Sequence, residues 1–102
     1  MSQIAKPPTH LSKAAQSRWK TILGEWALGD TDLLVLESAL EAFDRMRQAQ
    51  RILKKAGLTT KDRFGQVKPH SCIGVERDSR AAWLRAIKQL SLVLLSERYF
   101  HV

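Results

Sequence analysis

Cysteine is nearly absent from this sequence, since Cys72 is the single one. One thiol excludes an internal disulfide framework and a Cys-x-x-Cys site, and it makes a reducing cytoplasm the natural compartment. Long apolar runs are also missing. Runs such as Leu92 to Leu95, which no other apolar run exceeds in length, are far too short to span a bilayer, and the first residues lack the apolar core of a secretory signal. We therefore expect a protein that is neither exported nor embedded in a membrane.

Patterns typical of catalytic and metal sites are scarce as well. The three histidines are far apart in sequence, at His10, His70 and His101. A metal site is not expected from that spacing. No general base can be identified that would activate Ser12, Ser71 or Cys72 as a nucleophile. A Gly-x-x-x-x-Gly-Lys-Ser/Thr phosphate loop is absent too, so we expect no enzyme, no cofactor and no metal.

Positive charge, by contrast, is plentiful and unevenly distributed. The 102 residues include 17 Lys and Arg against 10 Asp and Glu, which gives a formal net charge of +7. Residues 45–68 carry eight basic residues and one acid, whereas residues 1–44 carry four basic residues and six acids. Such a concentration of positive charge indicates an acidic partner, and nucleic acid is the commonest one.

The spacing of apolar residues predicts an all-α fold with three main helices. A chain of this length is expected to form one domain, and its 44% hydrophobic content is typical of a folded protein. We expect an extended N-terminal arm over residues 1–10, which hold two of the three prolines, and a single helical domain over residues 11–102. The predicted helices span about residues 13–26, 31–56 and 74–96, with a loop or short hairpin between the second and third.

Residues that cap or end helices support these bounds. Ser12 is a suitable N-cap for the first helix, and either Asp30 or Thr31 is suitable for the second. Gly57 is a good C-terminal stop for the second helix. His70, just before the third helix, could contact a phosphate, but such a histidine more often caps a helix or bonds a carbonyl.

The three tryptophans and Phe64 are expected to differ in exposure. Three tryptophans lie at helical spacing among aliphatic neighbours, and they are Trp19, Trp26 and Trp83. This pattern favours a place in the core over stacking on bases. Phe64, which lies in the basic connection between the second and third helices, is the aromatic residue that we expect to be exposed.

The basic segment 45–68 has two interpretations. It could be an ordinary solvated face, or it could contact the phosphates of DNA. Like charges four residues apart, such as Arg47 with Arg51 and Arg51 with Lys55, are unfavourable on a helix unless something neutralises them. We therefore favour phosphate contact, which gives affinity through counterion release without reading sequence. The predicted DNA-binding residues are Arg45, Arg47, Arg51, Lys54, Lys55, Lys61, Arg63 and Lys68.

The end of the third helix predicts self-association. Residues 90–95, with the sequence LSLVLL, are apolar almost all round the helix. A helix that is apolar on every side must be covered on every side, and three helices hardly provide that cover. We therefore expect a homo-oligomer.

Four segments, taken in order, resemble the phage terminase small subunit family, in particular its short and mostly helical members. They are KPPTHLSKAAQSRW, TDLLVLESALEAFDRMRQAQRILKKAGL, FGQVKPHS and VERDSRAAWLRAIKQLSL, and together they cover about residues 6–92. The most specific features are the Pro-Pro-x-His-Leu-Ser start before a Trp-containing helix and the Gly-x-x-Lys-x-His loop before a helix that opens with Glu-Arg-Asp.

The resemblance implies a function in viral genome packaging. Such proteins recognise double-stranded viral DNA as a homo-oligomer, commonly a ring, and present it to the large terminase subunit, which has the ATPase and nuclease. The small subunit has no catalytic site, and it would act in the cytoplasm of the bacterial host cell. The alternative is a small helical DNA-binding transcriptional regulator or interaction protein. A regulator would present a compact helix-turn-helix, which we cannot delimit because the second helix is about twice the usual size.

Overall fold

The computed structural model describes residues 5–100, with side chains described as far as Ser91. This part of the chain is mostly helical, which confirms the expected three helices. The elements are α1 (Lys13–Glu25), α2 (Asp30–Ala56), β1 (Thr59–Lys61), β2 (Val67–Pro69) and α3 (Cys72–Phe100). The connection between α2 and α3, expected as a loop or short hairpin, is therefore a hairpin. Within the described range, no helix has the length and apolar character needed to cross a membrane.

Helix α1 begins where the sequence predicts. The Ser12 side chain accepts a hydrogen bond from the Ala15 N–H at 3.1 Å, which confirms Ser12 as the N-cap. The helix buries Ala15 and Trp19. The Trp19 indole N–H donates to the Ala5 carbonyl at 3.0 Å, so the residues before α1 lie against its buried face.

Helix α2 begins one residue earlier than expected, because its N-cap is Gly29 and not Asp30 or Thr31. Gly29 has no side chain, so no side-chain bond caps this helix. The helix start is stabilised instead by Asp30 in the first turn, where a negative charge interacts favourably with the helix dipole. Gly57 ends the helix as predicted. Its φ of 87° is a conformation that favours glycine, and its N–H donates to the Leu53 carbonyl at 2.8 Å.

Helices α2 and α3 pack against each other in antiparallel directions. Gln50 bonds Glu76 at 3.3 Å near one end of the pair. Further along, the rings of Phe43 and Trp83 lie 5.2 Å apart at 53°. Helix α1 completes the core, which consists of Leu11, Ala15, Trp19, Leu36, Leu40, Phe43, Met46 and Leu90. The tryptophans are core residues as predicted, since Trp26 and Trp83 are half-buried against this cluster.

Helix α3 begins at Cys72, two residues before the expected start, because His70 caps it. The His70 Nδ1 accepts from the Cys72 N–H at 3.0 Å, and the His70 carbonyl accepts from the Ile73 N–H. The helix extends to Phe100, past the expected end at residue 96. The side chains of residues 92–95, on which the expectation of an all-round apolar helix depends, lie outside the described side chains.

Candidate nucleic-acid interface

The hairpin formed by β1 and β2, here called the basic hairpin (residues 59–69), projects from the end of α2. Its antiparallel pairs are Thr59 with Pro69, Thr60 with Lys68, and Lys61 with Val67. Side chains on opposite faces of a strand alternate, so Lys61 and Lys68 lie on different faces of this ribbon. All six strand residues are exposed, so neither face of the hairpin is covered within the described part of the chain.

Asp62 holds the turn of the basic hairpin. Its carboxylate accepts from the Phe64 N–H at 2.8 Å and from the Gln66 N–H at 3.0 Å. Gly65 has a φ of 77°, which favours glycine, and its N–H donates to the Asp62 carbonyl at 3.0 Å. The bond from the Gln66 N–H is the largest effect and holds the pKa of Asp62 below its ordinary value. Burial opposes it as the next-largest effect, and the bonds from Phe64 and Lys68 lower the pKa further.

The tip of the basic hairpin presents an arginine and an aromatic ring together. The Phe64 side chain is 75% exposed, as its position in the sequence predicts. The Arg63 guanidinium lies 5.0 Å from the centroid of that ring. A cation over an aromatic face is a favourable arrangement, so the two side chains form one projecting unit.

Four of the predicted residues form a continuous band on α2, here called the basic stripe: Arg47, Arg51, Lys54 and Lys55. Arg51 follows Arg47 by four residues, and Lys54 and Lys55 follow Arg51 by three and four. This spacing places them on one side of the helix, and all four are exposed. Arg45 is exposed too, but it lies about 200° around the helix from Arg47 at roughly 100° per residue. The sequence segment is therefore divided between two flanks of α2.

The same side of α2 carries acids before the basic stripe begins, and the N-terminal segment contacts them. The His10 Nε2 lies 2.8 Å from a Glu41 carboxylate oxygen and 3.9 Å from one of Glu37. Asp44 accepts from the Ser12 N–H at 2.8 Å and from the Ser12 hydroxyl at 2.5 Å. These acids are already engaged where the basic stripe starts.

A cleft of about 370 Å³ lies at this boundary, between the start of α1 and the middle of α2. The residues that line it include Ser12, Asp44, Arg47 and Arg51. Because both arginines are exposed, they remain accessible to a partner beside the engaged acids.

Acids elsewhere near this surface have partners of their own. Asp62 pairs with Lys68 at 3.3 Å, Glu76 with Arg80 at 3.6 Å, and Asp78 with Arg77 at 3.2 Å. Among the described residues, seven of the eight predicted DNA-binding residues therefore have no ion pair, namely Arg45, Arg47, Arg51, Lys54, Lys55, Lys61 and Arg63. Lys68 is the exception, because it is paired with Asp62.

Two features of this region were missed by sequence reasoning. One is a group of three side chains whose possible ligand atoms lie within 4.8 Å of one another, close enough to hold a divalent cation: His10, Glu37 and Glu41. The hydrogen bond between His10 and Glu41 accounts for this arrangement without an ion. Arg18 on α1 lies 4.9 Å from the centroid of Phe43, a residue that lines the cleft. Both contacts join residues more than twenty positions apart, and no local pattern signals them.

No protein-family model matches this chain, and no curated protein or solved structure matches it either.

Proposed function

We propose that this protein binds double-stranded DNA through the basic stripe and the basic hairpin. The observation that carries the proposal is the set of exposed cations without acidic partners on the C-terminal half of α2. Arg47, Arg51 and Lys55 follow one another at intervals of four residues, so they repel one another on a regular helix. Phosphates would remove that repulsion and would release condensed counterions from the DNA.

The regular spacing of these cations favours a polyanion over a single acidic ligand. Arg47 and Lys55 are eight residues apart, which corresponds to about 12 Å along a helix. The basic hairpin continues the positive surface beyond the last turn of α2. A row of cations of this length suits a repeating line of phosphates, which fixes position without reading sequence.

Within the class of DNA-binding proteins, we propose the role of a phage terminase small subunit. The resemblance of the four sequence segments supports this role. The protein would bind viral DNA and present it to the large terminase subunit, whose ATPase and nuclease carry out packaging. By the same resemblance the chain itself would have neither activity, and its sequence contains no phosphate loop for ATP hydrolysis.

Self-association belongs to the same proposal. The described part of α3 exposes Leu84 at 57%, and Ile87 lies three positions further along the same side of the helix. Ile87 also lines a mainly apolar cleft of about 240 Å³, together with Trp83. A second copy that covers this region would assemble a homo-oligomer, proposed to be a ring, and would repeat the basic stripe around it.

A salt titration of DNA binding tests the proposal. We expect log affinity to fall linearly with log salt, with a slope of about −0.9 for each phosphate neutralised. Replacement of Arg51, Lys54 and Lys55 together by Gln should flatten this slope and leave the folded oligomer unchanged, because Gln has a similar helix propensity.

A matched control separates the position of the charges from their number. Replacement of Lys20, Arg85 and Lys88 by Gln removes the same charge from exposed positions on α1 and α3. This control should retain the steep slope of the unmodified protein. Equal slopes for the two triple variants would contradict the proposed site, and an absence of DNA binding at low salt would contradict the proposed function.

A further inference from the structure

The basic hairpin exposes more apolar surface than an isolated two-stranded ribbon is expected to sustain. Phe64 is 75% exposed and Val67 63%, and Leu58, directly before the hairpin, is 65% exposed. Two-stranded hairpins are at best marginally stable in water unless another layer covers one face. No element in the described part of the chain covers this hairpin. Its apolar side chains therefore indicate that a partner contacts it.

We infer that the basic hairpin enters the major groove of duplex DNA, with Phe64 at the tip against the edges of the base pairs. The inference rests on the proposed DNA binding and assigns a separate role to this element. The basic stripe on α2 contacts the phosphate backbone, while the hairpin reaches between the two strands.

The dimensions of the hairpin select the major groove. Paired strands are about 4.8 Å apart, and a sheet with its side chains is about 10 Å thick. The major groove of B-DNA is about 12 Å wide and admits a two-stranded ribbon, whereas the minor groove is only about 6 Å wide.

The charges of the hairpin match a DNA groove rather than a protein surface. Lys61 and Arg63 have no ion pair among the described residues; Arg63 lies at the tip, and Lys61 is the last residue of β1 before it. Asp62 is the one acid in residues 59–69, and its carboxylate is engaged by two backbone N–H groups and by Lys68. The element therefore presents an arginine and an aromatic ring at its end and a lysine close to them.

The turn is ordered before any contact is made. The bonds to Asp62 fix the backbone of Phe64 and Gln66, and Arg63 lies over the Phe64 ring. An element that is already ordered loses little conformational entropy on binding. In the groove, the ring can contact thymine methyl groups, which are the apolar feature of the base edges.

Dimethyl sulfate footprinting distinguishes the two grooves in one experiment. The reagent methylates guanine N7, which lies in the major groove, and adenine N3, which lies in the minor groove. The full chain would be compared with a variant that carries Arg63→Gln and Phe64→Ala. A Gln66→Ala variant is the matched control, because its side chain is exposed in the same turn and only its backbone holds that turn.

We expect the unmodified protein and Gln66→Ala to protect guanine N7, and the Arg63→Gln, Phe64→Ala variant to lose that protection. The latter should bind DNA about tenfold more weakly and keep its helical circular dichroism, because both replaced side chains are exposed.

The other outcomes separate this inference from the proposed function. Protection of adenine N3 alone, or guanine protection that persists in the Arg63→Gln, Phe64→Ala variant, would overturn the role of the hairpin. Salt-dependent binding without protection of any base would overturn it too, and would leave phosphate binding by the basic stripe intact. A complete absence of DNA binding would overturn both.

Discussion

Ser12 and Asp44 join the start of α1 to the middle of α2. The Asp44 carboxylate accepts from the Ser12 N–H at 2.8 Å and from the Ser12 hydroxyl at 2.5 Å. The same hydroxyl oxygen accepts from the Ala15 N–H, so Ser12 caps α1 while it is held to α2. Asp44 also lines the cleft with Arg47 and Arg51, so it connects the stability of the fold to the proposed site.

Replacement of Asp44 by Asn should therefore change stability and DNA binding in opposite directions. The amide accepts fewer and weaker bonds from Ser12, and we expect a loss of about 1 kcal/mol of unfolding free energy. The loss of a negative charge beside two arginines should strengthen DNA binding at low salt. Urea denaturation and a DNA titration check the two effects.

Glu25→Gln serves as the control for the Asp44→Asn variant, because it removes an exposed acid at the end of α1. It should change the unfolding free energy by less than about 0.5 kcal/mol. If Asp44→Asn weakened DNA binding, Asp44 would be shown to support the site rather than to repel phosphate.

The contact between Ser12 and Asp44 also marks the limit of what the sequence predicts. Ser12 was recognised as an N-cap because its partner, the Ala15 N–H, is three residues away and the pattern is local. Asp44 is 32 positions from Ser12, and only the packing of α1 on α2 brings them together. Local capping chemistry can be read along the chain, whereas a contact between helices depends on how they are arranged.

The candidate site shows the same division. The spacing of four residues is enough to place Arg47, Arg51 and Lys55 on one side of a helix. The contact of His10 with the acids that precede the basic stripe on this side could not be predicted, since His10 is distant from them in sequence. The predicted start of α2 is wrong by one residue. Asp30 can either cap a helix or occupy its first turn, because both positions suit its charge.

Truncation of a buried leucine should test the core. Leu40 is fully buried and belongs to the core cluster. Leu40→Ala should lower the unfolding free energy by about 2–5 kcal/mol, because it removes buried methyl groups and leaves a cavity. Leu34 lies on the same helix but is 68% exposed, so Leu34→Ala should cost less than about 0.5 kcal/mol. Similar losses for the two variants in urea denaturation would contradict the described orientation of α2.

The turn of the basic hairpin should depend on pH. The pKa of Asp62 is lowered in the folded protein, so its charged form stabilises the turn. This contribution is complete above the ordinary pKa of an aspartate and is lost as the pH falls through the lowered value. The amide chemical shifts of Phe64 and Gln66 should therefore change together on acidification.

An Asp62→Ala variant provides the control for that titration, since it removes the titrating group. Its amide shifts at Phe64 and Gln66 should lack the acidic transition and should differ from those of the unmodified protein at neutral pH. Identical titration curves for the two proteins would mean that another group orders the turn.

Assembly and DNA binding should be coupled at Leu84. A Leu84→Gln change places a polar group on the exposed apolar side of α3, so we expect a smaller assembly by light scattering. DNA affinity should then fall by at least about tenfold although the basic stripe is intact, because fewer linked copies hold the same DNA.

Arg85→Gln, at the next position on α3, is the control, and it should keep both the mass of the assembly and most of the DNA affinity. An unchanged mass for Leu84→Gln would place the contact between copies elsewhere, and a smaller assembly with unchanged affinity would mean that each copy binds DNA independently.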